Sequence, residues 1–188
     1  MSEKMQRIVL AARPVGSPKD SDFRFEEAAM PTAGAGELLC RTIYLSLDPY
    51  MRGRMDDVRS YAKPVALGST MVGGAVGQVI ASRSAAFETG DYVMGPFGWA
   101  SHGCCPAPHL RKLDKNIAPI STALGVLGMP GFTGWYGFKK LGRPRRGETL
   151  VVAAATGPVG SMVGQLAKAA GLRAIGIAGG AKKMRLGH

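Results

Sequence analysis

The sequence predicts a mixed α/β fold, with short strands first and a β-α-β unit near the end of the chain. Residues 6–113 contain short β-type runs that are broken by Gly, Pro and Asp. A continuous apolar run at residues 149–154 then precedes a glycine-rich turn, a segment of helical spacing and a second β-type run. With 188 residues, 46% of them hydrophobic, the chain is long enough for one domain with a core, or for one domain and part of another.

The first part of the chain predicts a small barrel or sandwich. Thr89-Gly90-Asp91 is a turn that leads into a strand, and Gly73, Gly74 and Gly77 indicate a bulge or a close approach of backbones within a strand pair. The predicted strands cover residues 7–12, 38–47, 71–76, 78–81, 91–94 and 99–105.

After residue 113 the apolar spacing changes to a helical one. Residues 123–129 have near-helical spacing, and Pro130-Gly131 is expected to interrupt any helix there. A second helix is predicted over residues 133–141 and a loop over 142–147. The apolar run at 149–154 is typical of a strand that is buried on both faces of a parallel sheet.

The segment from Ala154 to Gly164 has the pattern of a dinucleotide-binding turn. Gly157 permits a tight turn, Gly160 lets the backbone approach a pyrophosphate, and Gly164 lets the helix lie close to the strand. Pro158 suits the first turn of a helix, and a second strand is predicted at residues 173–178. The pattern departs from GxGxxG because Ala155 occupies the first glycine position, and a glycine-rich connection without a ligand is the alternative.

The end of the second predicted strand indicates which nucleotide would bind. An NAD enzyme carries Asp or Glu there for the ribose 2′-hydroxyl, and this chain has none. Lys182 and Lys183 follow an open glycine loop instead, and cations at this place favour a 2′-phosphate. The sequence therefore predicts NADP(H); a solvated pair of charges is the alternative for the two lysines.

The net charge of +11 is concentrated late in the chain. Residues 139–188 hold ten basic side chains and one acid, whereas residues 1–138 hold 14 basic and 12 acidic groups. This region is either a polyanion-binding patch or a basic part separated from acidic sequence that normally follows it. Given the nucleotide motif, we favour the second explanation, which argues against nucleic acid as a partner.

The composition also predicts the compartment. The longest apolar run, at residues 150–155, is far shorter than the roughly 20 residues that span a bilayer, and no apolar signal core follows the N-terminus. Cys40, Cys104 and Cys105 are odd in number and two are adjacent, so they form no disulfide framework. We expect a cytoplasmic protein that does not bind membranes.

Four segments together resemble the medium-chain dehydrogenase/reductase superfamily. They are residues 44–55 (YLSLDPYMRGRM), 127–133 (LGMPGFT), 154–164 and 179–183, and the resemblance covers nearly the whole chain. Residues 44–55 are the most specific, because they resemble the signature of the zinc-independent alkenal/one and prostaglandin (leukotriene B4 dehydrogenase-like) reductases, which include curcumin reductase-type members.

The resemblance implies a GroES-like β-barrel domain over residues 1–125 and an incomplete Rossmann domain over residues 126–188, with substrate in a cleft between them. It also implies the chemistry. In this family NADPH passes hydride to the β-carbon of an α,β-unsaturated ketone or aldehyde, hydrogen-bond donors stabilise the enolate oxygen, and the α-carbon is then protonated.

The resemblance assigns roles to individual residues. Gly157, Pro158, Val159, Gly160 and Ser161 match the pyrophosphate-binding turn. Lys183 matches the lysine that binds the 2′-phosphate, and Met129 and Thr133 match residues that lie by the nicotinamide. The wall of the substrate cleft is matched by Tyr50, Tyr61, Phe97, Gly98 and Trp99. Core packing is the alternative for each aromatic residue, and the catalytic residues stay unassigned.

A zinc site is not expected. A catalytic zinc would need Cys and His ligands in the barrel domain, and a structural zinc would need four closely spaced Cys. His102, Cys104, Cys105 and His109 do cluster in sequence, but adjacent Cys are poorly placed to share one ion. Cys40 is expected to be a core residue.

A complete Rossmann sheet has six strands, and this chain is expected to supply two of them with the helix between. The family is usually homodimeric, and the strands expected to form the dimer contact are not among these two. Two hypotheses follow: an NADPH-dependent double-bond reductase in truncated form, with a small enone or enal as substrate, or an inactive fragment that binds partners through its basic C-terminal region.

Overall fold

The computed structural model describes residues 4–180 and confirms the predicted mixed α/β class. The chain divides into two compact units, Met1–Ser121 and Thr122–His188. The domain limits expected at residues 125 and 126 remain a prediction.

The first unit is built from antiparallel strands. A two-stranded sheet pairs β1 (Lys4–Leu10) with β2 (Phe23–Ala29) over their full lengths. A five-stranded sheet has the order β6-β3-β4-β5-β7, with strands β3 (Glu37–Leu45), β4 (Ala75–Ser82), β5 (Tyr92–Gly95), β6 (His102–Pro106) and β7 (Arg111–Leu113). One short helix, α1 (Tyr50–Arg54), lies between β3 and β4 in sequence.

Two apolar clusters form the core of this unit. The larger one collects side chains from the inner face of the five-stranded sheet, because residues two apart on a strand point to the same side. Its members are Leu38, Cys40, Ala75, Val79, Val93, Phe97, Cys105, Ala107 and Leu110. The smaller one joins β1 to the segment that follows α1, through Leu10, Met55, Val65 and Met71.

The glycine-rich part of the sheet explains one difference from the predicted strands. Residues 71–76 and 78–81 were predicted as two runs, but β4 is one strand that passes through Gly77. A Cβ on Gly77 would lie 2.9 Å from the carbonyl oxygen of Arg41 on β3, and the β3–β4 register shifts between Thr42 and Tyr44. The predicted close approach with an irregular register is therefore confirmed.

The second unit contains a parallel β-α-β motif. Strands β8 (Thr149–Ala153) and β9 (Arg173–Ile177) pair in parallel, and α3 (Pro158–Ala169) connects them. Helix α2 (Met129–Tyr136) precedes them and continues into a π-helical turn, Gly137–Gly142. The core is small: Phe138, Ala167 and Leu172 are buried, with partly buried Leu150, Val163, Leu166 and Ala170 against them.

The prediction that Pro130 interrupts a helix is wrong. Pro130 lies in the first turn of α2. Backbone N–H groups in this turn have no acceptor within the helix, so the missing N–H of proline costs no hydrogen bond, and its fixed φ suits the helix. The helix therefore begins at this proline instead of ending there.

The prediction that the apolar run is buried on both faces is also wrong for the described residues. Leu150 and Val152 are partly buried on one side of β8, whereas Val151 is 56% exposed on the other. Every residue of β9 is exposed. Helix α3 packs on one face of this two-stranded sheet, and nothing within residues 4–180 covers the opposite face enough to bury it.

Over residues 4–180, no helix combines the length and the apolar character that crossing a bilayer requires.

Candidate functional site

The turn after β8 has a fixed backbone geometry. Ala154 adopts the left-handed conformation, with φ of 52°, and its carbonyl oxygen accepts a hydrogen bond from the N–H of Gly157 at 2.9 Å. The N–H of Ala155 donates to the carbonyl oxygen of Ile177 at the end of β9, at 3.1 Å. The turn is therefore attached to the carboxyl ends of both strands, where open α/β sheets bind ligands.

The turn delivers the chain to the N-terminus of α3. Pro158 is the first helical residue, and the N–H of Ser161 donates to the carbonyl oxygen of Gly157 at 2.8 Å, which is the first bond of the helix. Within the described part of the chain, no side chain caps this end. The N–H groups of Val159 and Gly160 lie in the first turn and have no intrahelical acceptor, so with the helix dipole they suit an anion.

Two glycines of the motif have different surroundings. A Cβ on Gly160 would collide with the carbonyl oxygen of Ala154 and would lie 2.9 Å from the Cα of Ala155, so Gly160 lets the helix begin directly over the turn. A Cβ on Gly164 would meet open space. The expectation that Gly164 lets the helix lie close to the strand is therefore not met, and Gly160 makes the close approach instead.

Helix α2 carries the two residues that the family resemblance places by a nicotinamide. Met129 is 50% exposed, and the hydroxyl of Thr133 donates to the carbonyl oxygen of Met129 at 2.8 Å. This bond places both residues on one side of the helix, one turn apart.

Gly134 is a residue of this site that sequence reasoning missed. A Cβ there would lie 3.2 Å from the carbonyl oxygen of Val159 and 3.3 Å from Cγ2 of Val163. Gly134 therefore lets α2 lie close to the first turn of α3. The available signal was a glycine within the helix predicted over residues 133–141, since a glycine inside a helix usually has a packing reason.

A cavity of about 290 Å³ lies between α2, the π-helical turn, β8 and α3. Thr133 and Val159 both line it, so the structure brings these two predicted cofactor residues together. Glu148, Thr149 and Leu172, near the amino end of β8, also line it. Open α/β sheets bind ligands at the carboxyl ends of their strands, and in this unit those ends lie at the turn and not at the amino end of β8.

The predicted 2′-phosphate residue, Lys183, lies outside the described residues, as does Lys182. The described chain leads toward them through Gly179 and Gly180, which are exposed, and Gly180 has a φ of 77°. The structure therefore describes the glycine loop that precedes the two lysines, but it does not describe Lys182 or Lys183 themselves.

In the first unit, Tyr50 is the first residue of α1 and is partly buried. Burial raises the pKa of its phenol most, the Asp48 carboxylate raises it further, Arg54 lowers it and Tyr61 raises it, and the net shift is upward. Its phenol O–H can donate a hydrogen bond. Tyr61 is 83% exposed.

The two aromatic residues of the segment Phe97-Gly98-Trp99 pack in different core clusters. Phe97 is 7% exposed in the larger core cluster, whereas Trp99 packs against the smaller one and stacks on Phe23 with ring centroids 5.4 Å apart. Gly98 has a φ of 70°, and a Cβ there would lie 2.6 Å from the carbonyl oxygen of Met71. The indole Nε1 of Trp99 is buried without a hydrogen-bond partner.

The possible zinc ligands do not form a metal centre in the described structure. Over residues 4–180, no group of three or more His, Cys, Asp or Glu is arranged to hold an ion. Burial raises the pKa of Cys40 to about 12, and burial followed by the Glu37 charge raises the pKa of Cys104 and Cys105. Cys40 lies in the larger core cluster, as expected.

A strand-rich unit followed by a parallel β-α-β unit, with a glycine turn at an uncapped helix N-terminus, is the architecture expected of the medium-chain dehydrogenase/reductase class. A family model described as the N-terminal domain of oxidoreductase matches residues 6–113. The chain belongs to this family.

Known relatives agree with the predicted resemblance. The NADPH-dependent curcumin reductase of Escherichia coli (strain K12) is 51% identical over 183 residues, which are 97% of this chain and 53% of the relative. The NADP(+)-dependent 2-alkenal reductase of Nicotiana tabacum is 37% identical over 186 residues, 96% of this chain and 54% of the relative.

A solved structure agrees as well. The crystal structure of CurA in complex with NADPH from Vibrio vulnificus matches with a TM-score of 0.90 at 51% sequence identity, covering 96% of this chain and 53% of that one. The chain thus spans about half the length of the curated relatives it matches.

Proposed function

We propose that this chain serves the NADPH-dependent reduction of the C=C bond of α,β-unsaturated ketones and aldehydes. The observation that carries the proposal is the turn from Ala154 to Ser161, which ends at the uncapped N-terminus of α3. Support comes from similarity to a curcumin reductase and a 2-alkenal reductase that use NADPH or NADP(+). When bound, NADPH would supply the hydride that is added to the β-carbon of the substrate.

We propose the following cofactor contacts. The backbone N–H groups of the turn bind the pyrophosphate, with Gly160 keeping the space above Ala154 free of a side chain. The residues of this turn are Gly157, Pro158, Val159, Gly160 and Ser161. Met129 and Thr133 contact the nicotinamide, and Lys183 forms an ion pair with the 2′-phosphate.

We propose that Tyr50, Tyr61 and the segment Phe97-Gly98-Trp99 contribute to the substrate side of the site. Tyr50 supports this most directly, because it is partly buried and its phenol O–H can donate a hydrogen bond to a carbonyl oxygen. Phe97 would act indirectly, since its ring lies in the core and fixes the backbone before Gly98.

The partner proposed is a small enone or enal, with no nucleic acid, no membrane and no zinc. A homodimer is proposed for the whole enzyme, as is a cytoplasmic location, which agrees with the three free cysteines.

Cofactor preference is tested by titrating the full chain with NADPH and with NADH and following the nicotinamide fluorescence. We expect NADPH to bind more tightly, and Lys183→Ala to weaken NADPH binding by roughly ten- to a hundredfold, since a hydrogen bond to a charged group contributes about 1.5–3 kcal/mol. The NADH affinity should stay unchanged. Lys168→Ala, at an exposed lysine in the last turn of α3, is the matched control. Equal affinity for the two nucleotides in the unmodified chain would contradict the proposal.

Activity is tested separately with curcumin and with a 2-alkenal, by following the loss of NADPH absorbance. Reduction of both is the expected result. NADPH binding without turnover, in a preparation whose circular dichroism shows it to be folded, would keep the cofactor assignment and exclude the reductase activity for this chain.

A further inference from the structure

Helix α1 is too short to be stable by itself. It has five residues, whereas isolated helices of fewer than about 12–15 residues are marginal in water. Its buried side chains are Met51 within the helix and Met55 directly after it, each 3% exposed. These two contacts fix the side of the helix that faces the core, but they leave its outer side to other interactions.

Arg52 supplies the interactions on the outer side. Its Nε donates to the carbonyl oxygen of Gly16 at 3.1 Å, its Nη2 donates to that of Pro14 at 3.2 Å, and its Nη1 donates to Oδ1 of Asp56 at 2.6 Å. One planar guanidinium therefore joins three parts of the chain: the loop at residues 14–16, α1, and Asp56, two residues after the end of α1.

A second arginine, which lies beside the loop, donates a hydrogen bond to the residue directly after α1. Arg13, beside the same loop, donates through Nη1 to the carbonyl oxygen of Met55 at 2.6 Å, and its Nη2 lies 3.6 Å from Asp57. On the far side, Arg54 donates to the carbonyl oxygen of Lys63 at 2.7 Å. Of the three arginines, only Arg52 lies on α1 and contacts the loop at residues 14–16.

Tyr50 begins this helix, two residues before Arg52. Its phenol therefore keeps its place only while α1 keeps its orientation, and a displacement of about 1 Å in a site can cost about a hundredfold in rate. We propose that Arg52 is a positioning residue for Tyr50, because it fixes α1 against the loop at residues 14–16. The proposal rests on the proposed function, in which Tyr50 contacts the enone.

The test measures Tyr50 directly in the full chain. The phenol absorbance of each variant is titrated against the same variant carrying Tyr50→Phe, so that the difference reports Tyr50 alone. Asp48, Arg54 and Tyr61 are the charged or titratable groups that act on this phenol, and none of them is changed. The variants are Arg52→Ala, Arg52→Lys and the control Arg24→Ala, which removes an exposed ion pair with Glu26.

We expect the pKa of Tyr50 to lie above 10 in the unmodified chain and to move down toward that ordinary value in Arg52→Ala, because the phenol gains solvent. Arg52→Lys should shift it in the same direction but less, since an ammonium cannot donate to both carbonyls in the fork geometry. Arg24→Ala should leave it unchanged. If Arg52→Ala fails to fold, Arg52→Lys decides the question. A Tyr50 titration that is the same in the folded Arg52 variants and in Arg24→Ala would overturn the proposal.

Enone reduction provides the second measurement. If the unmodified chain reduces the enone, Arg52→Ala should lose roughly ten- to a hundredfold in kcat/KM relative to Arg24→Ala. If the unmodified chain is inactive, the reductase function fails for this chain, and the titration still decides whether Arg52 positions Tyr50.

Discussion

Gly160 lies where any side chain would collide with the end of β8. A Cβ there would overlap the carbonyl oxygen of Ala154, which is backbone and has no rotamer by which to move away. We therefore predict that Gly160→Ala destabilises the second unit by about 1–3 kcal/mol, the usual cost of overpacking. Urea unfolding followed by Trp135 fluorescence, in a Trp99→Phe background, measures the loss.

Gly164→Ala is the matched control, because it adds the same methyl group to the same helix but into open space. A helix-interior glycine is less favourable than alanine by about 0.5–1 kcal/mol, so this control should be slightly more stable than the parent. If both substitutions gave the same change in stability, the close approach at Gly160 would be disproved.

Ala154 is a non-glycine residue in the left-handed region. That conformation costs an L-residue about 1–2 kcal/mol, which exceeds the roughly 0.5–1 kcal/mol by which glycine's flexibility in the unfolded chain disfavours it. Ala154→Gly should therefore stabilise the second unit by about 0.5–1 kcal/mol, measured by thermal unfolding. Ala153→Gly, on β8, should be less stable than the parent by a similar amount. A loss of stability in Ala154→Gly would show that Ala154 is not strained.

Which residues form the turn could be predicted from the sequence, because the need for small residues and a strand-to-helix order is local. The separate tasks of Gly160 and Gly164 could not, since they depend on which backbone atoms approach each Cα position. Arg52 was found only in the structure for the same reason: its acceptors are backbone carbonyls 36 and 38 residues away in sequence.

Asp91 connects three parts of the five-stranded sheet. Its carboxylate accepts hydrogen bonds from Lys112 on β7, at 2.7 Å, and from the N–H of Glu88 in the turn before β5, at 2.9 Å. The hydrogen bond from Lys112 lowers the pKa of Asp91 most, and the bond from Glu88 adds to it.

The lowered pKa predicts how stability depends on pH. A group whose pKa is lower in the folded state stabilises the fold above its unfolded value of about 3.9, and this contribution is lost as the pH falls toward the folded value. Asp91→Asn should therefore lower the stability of the first unit at pH 7, and its difference from the parent should shrink below about pH 4. Urea unfolding at a series of pH values measures both effects. Asp20→Asn, at an exposed aspartate, is the control, and an equal pH dependence in the two variants would contradict the prediction.

At the scale of elements, the strands that line the larger core cluster could be predicted from the sequence, because their apolar residues alternate or run together. Strand β2 was not predicted, since its sequence FRFEEAA holds three charged residues and does not sustain an alternation of apolar and polar residues; it gains its order by pairing with β1. The effect of Pro130 on helix α2 was predicted wrongly. A proline in the first turn of a helix can be told apart from a proline that ends a helix only when the residue at which the helix begins is known.

At the scale of the molecule, burial is unequal between the two units. Among the described residues, the first unit has core clusters of nine and four buried side chains, whereas the β-α-β unit has one of three. Val151, Ile175 and Ile177 are exposed apolar residues of the two-stranded parallel sheet. Because apolar burial is the main favourable term in folding, the second unit should be the less stable one.

This inequality can be measured because each unit contains one tryptophan, Trp99 in the first and Trp135 in the second. In urea, the Trp99→Phe chain should report an unfolding midpoint lower than that of the Trp135→Phe chain, with the smaller urea dependence that a smaller buried surface gives. Addition of NADPH should raise the Trp135 midpoint if the nucleotide binds the folded turn, by an amount that grows with the logarithm of its concentration. Coincident midpoints for the two chains without nucleotide would show that the units unfold together and that the small core of the second unit does not limit its stability.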